Sequence, residues 1–151
     1  MIVAALILAA GGSSRLGRPK QLEPWGNTTL LGHVVDQVRT YPVDEIWVVL
    51  GAEFDRILDT VDLTGCNVVE NPEWEEGIAS SLRVGLDALI QTSRADAALI
   101  VIGDQPNIDR KVVEEIVETF ATAEVPVVLP KYRYTWGNPV MVDRSLWARL
   151  M

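Results

Sequence analysis

The chain has 151 residues, 13 Lys and Arg against 21 Asp and Glu for a formal net charge of −8, and 48% apolar residues. A chain of this length can bury roughly 70% of the surface its unfolded form exposes, so one soluble domain spanning residues 1–151 forms a core unaided. A single cysteine, Cys66, excludes an internal disulfide and, with the single histidine, His33, any Cys/His zinc cluster, while the acidic balance argues against bulk binding to nucleic acid or anionic membranes.

The first element, Ile2–Leu8, is a continuous apolar run closed by Gly11 and Gly12, as expected for a parallel strand covered on both faces. It lacks the positive n-region of a secretory signal and falls short of the ~20 residues of a membrane span, which places the protein in the cytoplasm. After a polar stretch, Leu30, Leu31, Val34, Val35 and Val38 recur at helical spacing, with Thr28 or Thr29 as cap. Strand Ile46–Leu50 follows, then a short helical stripe from Phe54 to Val61 and a short strand, Asn67–Val69. Ile78, Leu82, Leu86 and Leu89 mark a longer helix. Ala97–Ile102 is another buried strand, and a helix with Val113, Ile116 and Phe120 inside and Glu114, Glu115 and Glu118 outside comes next. Val127–Leu129 and Pro139–Val142 predict two more strands, and Arg144–Leu150 a last helix.

Alternating strands and helices predict an α/β fold, a mostly parallel Rossmann-like sheet with helices on both faces. Ligands bind such sheets outside the carboxyl ends of the strands. Function is therefore expected in three loops: Ala9 to Lys20, Asn71 to Ser81, and Gly103 to Asn107.

The first loop, Leu8-Ala9-Ala10-Gly11-Gly12-Ser13-Ser14-Arg15-Leu16-Gly17-Arg18-Pro19-Lys20-Gln21, holds three cationic side chains and no acid. A glycine-rich turn after a strand brings backbone N–H groups to an anion, and Arg and Lys add charge-assisted bonds to phosphate oxygens. The spacing fits neither known cradle. Lys20 comes two positions too late for a P-loop, and Ser13 stands where a dinucleotide fingerprint needs its second glycine.

This loop resembles the LAAGxSxRMGxxK motif of nucleotidyltransferases, with Leu16 in place of methionine. Asn71-Pro72-Glu73-Trp74-Glu75-Glu76-Gly77-Ile78-Ala79-Ser80-Ser81-Leu82-Arg83 is similar to the NPxWxxGMxxSLxxGL segment of the molybdenum cofactor cytidylyltransferase (MobA-like) branch, and Gly103-Asp104-Gln105-Pro106 matches its GDQP. The resemblance implies a GT-A-like nucleotidyltransferase fold. It also implies that Leu8, Ala9, Ala10, Gly11, Gly12 and Ser13 hold base and phosphates, that Arg15 and Lys20 grip the triphosphate, that Asn71 and Ser80 or Ser81 serve the base, and that Asp104 binds Mg²⁺. The implied reaction is attack of an acceptor phosphate on the α-phosphorus of a nucleoside triphosphate with release of pyrophosphate. That chemistry needs cations and in-line positioning, not a protein nucleophile. The Ala9-Ala10-Gly11 spelling points to CTP by family analogy. The acceptor is then molybdopterin or the molybdenum cofactor, and the partner a molybdenum hydroxylase.

Two departures stand out. Asn138 replaces the histidine of the family's GHPV segment, and the chain stops at Met151, before the GDxGAR-like loop usual in the family. Either the chain is truncated or its catalytic half-site is incomplete. Two alternatives accordingly accompany the first reading: a nucleotidyltransferase for a sugar or polyol phosphate, and a non-catalytic cofactor-binding accessory protein. For single residues, a turn or helix-cap role also suits Asp104, and close helix packing also suits Ser80 and Ser81.

Overall fold

The computed structural model describes residues 1–12 and 17–151. In chain order its elements are β1 (Val3–Leu8), β2 (Pro24–Trp25), β3 (Thr28–Thr29), α1 (Leu30–Val38), β4 (Glu45–Leu50), α2 (Phe54–Thr60), β5 (Asn67–Glu70), α3 (Ile78–Thr92), β6 (Ala97–Ile102), α4 (Arg110–Ala123), β7 (Val127–Val128), β8 (Lys131–Tyr132), β9 (Thr135–Trp136), β10 (Val140–Asp143) and α5 (Trp147–Leu150). Six strands form one sheet in the order β5-β4-β1-β6-β10-β7. β1 pairs in parallel with β4 and β6, and β4 with β5, whereas β10 runs antiparallel to both β6 and β7.

The two apolar faces of the sheet follow from the alternation of side chains along each strand. Ala5, Ile7, Leu99 and Val101 pack with Leu31 and Val35 of α1, Ile57 of α2, and Val113 and Ile116 of α4. Leu6, Leu8, Val49 and Ile100 pack with Leu86 and Leu89 of α3 and Trp147 of α5. Burying a leucine or isoleucine completely contributes about 1.5–3 kcal/mol, which is why unbroken apolar runs become the central strands. Gly85 lets α3 settle onto β1, since a Cβ there would come within 2.8 Å of the Leu6 side chain. Among the described residues, no helix is long and apolar enough to cross a membrane.

Local signals account for the boundaries. Thr29 caps α1 by accepting from the Gly32 amide at 3.1 Å, and Asp109 caps α4 by accepting from the Lys111 amide at 2.9 Å. The final helix starts late: Arg144–Leu146 is a 3-10 turn ahead of α5. Two minor hairpins escape the periodicity because each strand has only two residues. Gly26 at φ +59° turns β2 into β3, and Arg133 at φ +57° turns β8 into β9.

The connections position the site. From β1 the chain steps outward through α1 to β4 and through α2 to β5, then crosses back under α3 to β6 on the other side of β1. Strand order thus reverses between β1 and β6, and a crevice opens above their carboxyl ends.

Candidate active site

The crevice holds a cleft of about 190 Å³. Its walls come from all three expected loops: Ala9, Ala10 and Gly11 after β1, Trp74, Gly77 and Ser81 after β5, and Gly103 and Asp104 after β6, with Lys20 and Gln21 closing one side.

The first loop continues β1 before it leaves the sheet. The Ala9 amide donates to Val49 O at 2.9 Å, and Ala10 O accepts from the Ala52 amide at 3.1 Å. Gln21, which is buried, then takes the remaining two carbonyls: its Nε2 donates to Ala9 O at 2.8 Å and to Gly11 O at 2.9 Å. Because a trans peptide points its N–H opposite its C=O, the amides of Ala10 and Gly12 are directed away from Gln21. They and the Gly11 amide meet no acceptor among the described residues. Gln21 Oε1 is itself buried without a partner among the described residues. Two carbonyls at Nε2 fix this amide orientation, since only the nitrogen can donate. Sequence reasoning missed Gln21 as a site residue. It stood at the end of the basic loop, where nothing marks a glutamine for burial.

Of the loop's cations, Arg18 turns to Glu23, at 2.9 Å through Nη2. Lys20 reaches across the cleft to Asp104, Nζ to Oδ2 at 3.0 Å. Arg15 and Ser13 lie outside the described residues. The Lys20 and Asp104 side chains are 48% and 42% exposed, so their pair is worth only about 0–1 kcal/mol and is readily exchanged for a ligand contact. Asp104 is the one carboxylate lining the cleft among the described residues. It sits in a turn closed by the Gln105 amide on Ile102 O at 3.2 Å, and Asp109, not Asp104, caps α4. Gly103 lets this turn approach the first loop, because a Cβ would meet Ala9 Cβ at 2.7 Å and Leu8 O at 3.0 Å.

The third wall is built by Asn71. Fully buried, it accepts from the Glu73 amide through Oδ1 at 3.0 Å and donates through Nδ2 to Ser80 Oγ at 2.9 Å and Ser81 Oγ at 3.0 Å. Ser80 in turn donates to Gly77 O at 2.7 Å. Asn71 and Ser80 therefore stand behind the cleft wall, and Ser81 is the serine that lines it. Gly12 lies under the Trp74 ring, which a Cβ on Gly12 would meet at 2.5 Å, and a Cβ on Gly51 would meet Trp74 Cβ at 2.6 Å. Trp74 is a second wall residue that composition alone did not single out; its signal was its place in the NPxW stretch.

Other polar groups keep to structural work. Burial pushes the Cys66 thiol above its ordinary pKa, the opposite of activation. Burial, with the neighbouring Tyr132 and Asp109, pushes Tyr41 up to about 12, and its hydroxyl donates to Ile108 O at 3.0 Å. Chemically the cleft presents amide N–H donors, a serine hydroxyl and an ammonium group on one side and a single carboxylate on the other. It suits an anion rich in acceptor oxygens, with a cation between that anion and Asp104.

Residues 5–151 match the family described as MobA-like NTP transferase domain. The chain is 28% identical over 155 residues to nicotine blue oxidoreductase of Paenarthrobacter nicotinovorans, covering 95% of this chain and 72% of that protein. It is 32% identical over 133 residues, 82% of its length, to the bifunctional protein GlmU of Lawsonia intracellularis, of which it spans 29%. The structure of Rv0371c from Mycobacterium tuberculosis superposes with a TM-score of 0.88 at 31% identity, covering 99% of this chain and 75% of that one. A complex of Rv0371c with manganese gives 0.85 at 27% identity, covering 99% and 75%.

Proposed function

The chain belongs to the MobA-like NTP transferase family, and from that premise we propose that it transfers CMP from CTP to a phosphorylated pterin acceptor, molybdopterin or the molybdenum cofactor, with release of pyrophosphate. The observation that carries this reading is the cradle after β1, where Gln21 holds back the carbonyls of Ala9 and Gly11 and three amides opposite Asp104 meet no partner among the described residues. A triphosphate laid over Ala9 to Gly12 accepts from those amides, and Lys20 exchanges its carboxylate partner for a phosphate oxygen. Arg15 is assigned to the same triphosphate by its place in the motif. Ala9 and Ala10, with Ser81 opposite, leave room for a pyrimidine. An oxygen of the acceptor phosphate then bonds to the α-phosphorus as the bond from that phosphorus to the oxygen bridging to the β-phosphate breaks, and the electron pair of the broken bond leaves on pyrophosphate.

Asp104 fits a divalent cation. It offers carboxylate oxygens at the cleft edge, and no group of three or more His, Cys, Asp or Glu gathers there or elsewhere among the described residues. Mg²⁺ tolerates this, since it commonly takes one or two carboxylates and completes its oxygens from phosphates and water. When bound, the ion neutralises the charge that develops on the phosphates. In its absence Lys20 supplies the positive charge beside Asp104.

A second reading, nucleotide-cofactor binding without nucleotidyl transfer, is favoured by the solitary carboxylate and by the similarity to nicotine blue oxidoreductase. One experiment separates the two. Pyrophosphate release is measured with CTP, GTP, ATP and UTP against molybdopterin and against sugar and polyol phosphates, beside an assay of NAD(P)H oxidation. Release with CTP and molybdopterin is expected; release only with a sugar or polyol phosphate replaces the acceptor, and NAD(P)H turnover without release from any triphosphate overturns the transferase reading.

A further inference from the structure

Resting on the nucleotidyl-transfer reading, we propose that the hairpin β8–β9 receives the acceptor, with Trp136 stacking on a flat ring and Lys131 and Arg133 taking a phosphate. Its place follows from register. β10 starts with Val140 opposite Ile100, so the residues that join the hairpin to β10, Gly137–Pro139, run past the carboxyl end of β6, where Asp104 stands. The Gly137 amide donates to Pro130 O at 3.0 Å and closes the base of the hairpin at that level. Tyr132 donates through its hydroxyl to Asn138 O at 2.9 Å, and it shares the neighbourhood of Tyr41 with Asp109, at the far end of the loop that begins at Asp104. In the sheet order β1-β6-β10 the hairpin therefore lies across Asp104 from the cradle. In-line displacement needs the acceptor on that side. With the leaving pyrophosphate on the cradle and Lys20, and the α3 side given to the base, attack opposite the leaving oxygen comes from the side of β10.

The hairpin differs from the rest of the chain in chemistry. From Val125 to Val142 there is no acid, but there are Lys131 and Arg133, in a chain of net charge −8. Neither cation has an ion-pair partner among the described residues. Register sets Lys131 opposite Trp136 and Tyr132 opposite Thr135, so Lys131 and Trp136 share the ribbon face away from Tyr132, and Lys131 Nζ lies 5.1 Å from the Trp136 ring centroid. Trp136 is 63% exposed and Tyr134, at the tip, 95%. Arg133 holds φ +57° in a two-residue turn where glycine or asparagine is the rule, so the tip carries a charged side chain at a cost in backbone strain. An open indole beside two cations that meet no acid suits a planar, phosphorylated acceptor, which stacks and pairs at once. A polyol phosphate would engage only the cations.

The test is calorimetric titration of the full chain, saturated with the α,β-methylene analogue of CTP so that no transfer occurs, with neopterin monophosphate as the ringed probe and glycerol 3-phosphate as the ringless one. The wild type is expected to bind the ringed probe at least tenfold more tightly. Trp136→Ala is expected to remove that preference and Trp136→Phe to keep most of it, neither changing affinity for the CTP analogue. Lys131→Ala and Arg133→Gly are each expected to weaken neopterin monophosphate about five- to tenfold, again without effect on the analogue. With the analogue bound, failure of the ringed probe to bind, equal binding of the two probes, or a preference that survives in Trp136→Ala overturns this inference alone. Failure of the analogue to bind, with the probe pattern as expected, overturns the transfer reading alone.

Discussion

Where β1, β4 and β6 begin, every strand end is tied down: the Ile2 amide donates to Asp96 Oδ2 at 2.7 Å, the Val3 amide to Asp44 Oδ2 at 2.8 Å, and Trp47 Nε1 and Ser93 Oγ share Glu45 Oε2 at 2.8 Å each. Arg144 closes the same end, donating to Ala95 O at 2.8 Å, Ser93 O at 3.1 Å and Ile90 O at 3.3 Å at the C-terminus of α3. Where the same strands finish, the amides of Ala10, Gly11 and Gly12, the Oε1 of Gln21 and the Ser81 proton have no partner among the described residues. Gly11 and Gly12 are exposed to solvent, whereas Gln21 Oε1 is buried, and a buried polar group left unpaired costs about 1–3 kcal/mol. The contrast teaches that one end of the sheet holds the fold and lets the other keep polar groups open to a ligand.

The sharpest way to break this contrast is at Asp104. Asp104→Asn is expected to lower Mg²⁺-dependent pyrophosphate release roughly a hundredfold while the thermal midpoint stays put, because an exposed strand-end side chain carries little packing. Wild-type turnover at limiting Mg²⁺ would move the metal elsewhere. At the opposite end, Arg144→Met should remove about 2–3 kcal/mol of stability, read from urea unfolding, because it strips a charged donor from three carbonyls at and just beyond the end of α3 and a cation from the face of Trp147 at 5.1 Å. CTP affinity measured on the folded fraction should not change; a matching loss of affinity would show that the two ends are coupled.

Lys20→Ala sharpens the comparison from the ligand side. It should weaken CTP by about 1.5–3 kcal/mol, through a lost charge-assisted phosphate contact, and leave unfolding nearly unaffected, since its bond to Asp104 joins two half-exposed groups. The smallest effect concerns Tyr41, between α1 and the loop that leads from Asp104 to α4. Its folded pKa is raised from 10.0 to about 12 by burial first, so the stability it contributes is full below pH 10 and is lost as pH rises through 12. Melting curves across that window should fall more steeply for the wild type than for Tyr41→Phe, and parallel curves would remove Tyr41 from the alkaline limit.

How far these features were legible depends on the kind of signal behind each. Val3–Leu8 and Ala97–Ile102 were readable because burial on two faces demands unbroken apolar runs, and α1, α3 and α4 because one buried face imposes a helical period. Asp104 was readable as a strand-end carboxylate and Lys20 as a loop cation, but not their pairing, which joins residues 84 apart. Gln21 and Trp74 escaped because neither periodicity nor composition says that a loop glutamine is buried or that an indole packs against Gly12. Asn71 was visible in a turn pair with Pro72; that its amide faces inward on two hydroxyls depends on how the segment from β5 folds back onto the start of α3.

The position of β1 in the middle of the sheet has a kinetic corollary. It is made first, and its tie to Asp44 spans 41 residues, but its tie to Asp96 spans 94. Until the chain emerges as far as β6, an apolar central strand exposes one row of unpaired backbone groups, the kind of edge that seeks a partner in another molecule. Half of the sheet, β1 with β4 and β5, is therefore expected to assemble early, and arrival of α3 and β6 becomes the slow, long-range step. The crevice between β1 and β6 exists only after that step, so the ligand site forms no earlier than the docking of β6.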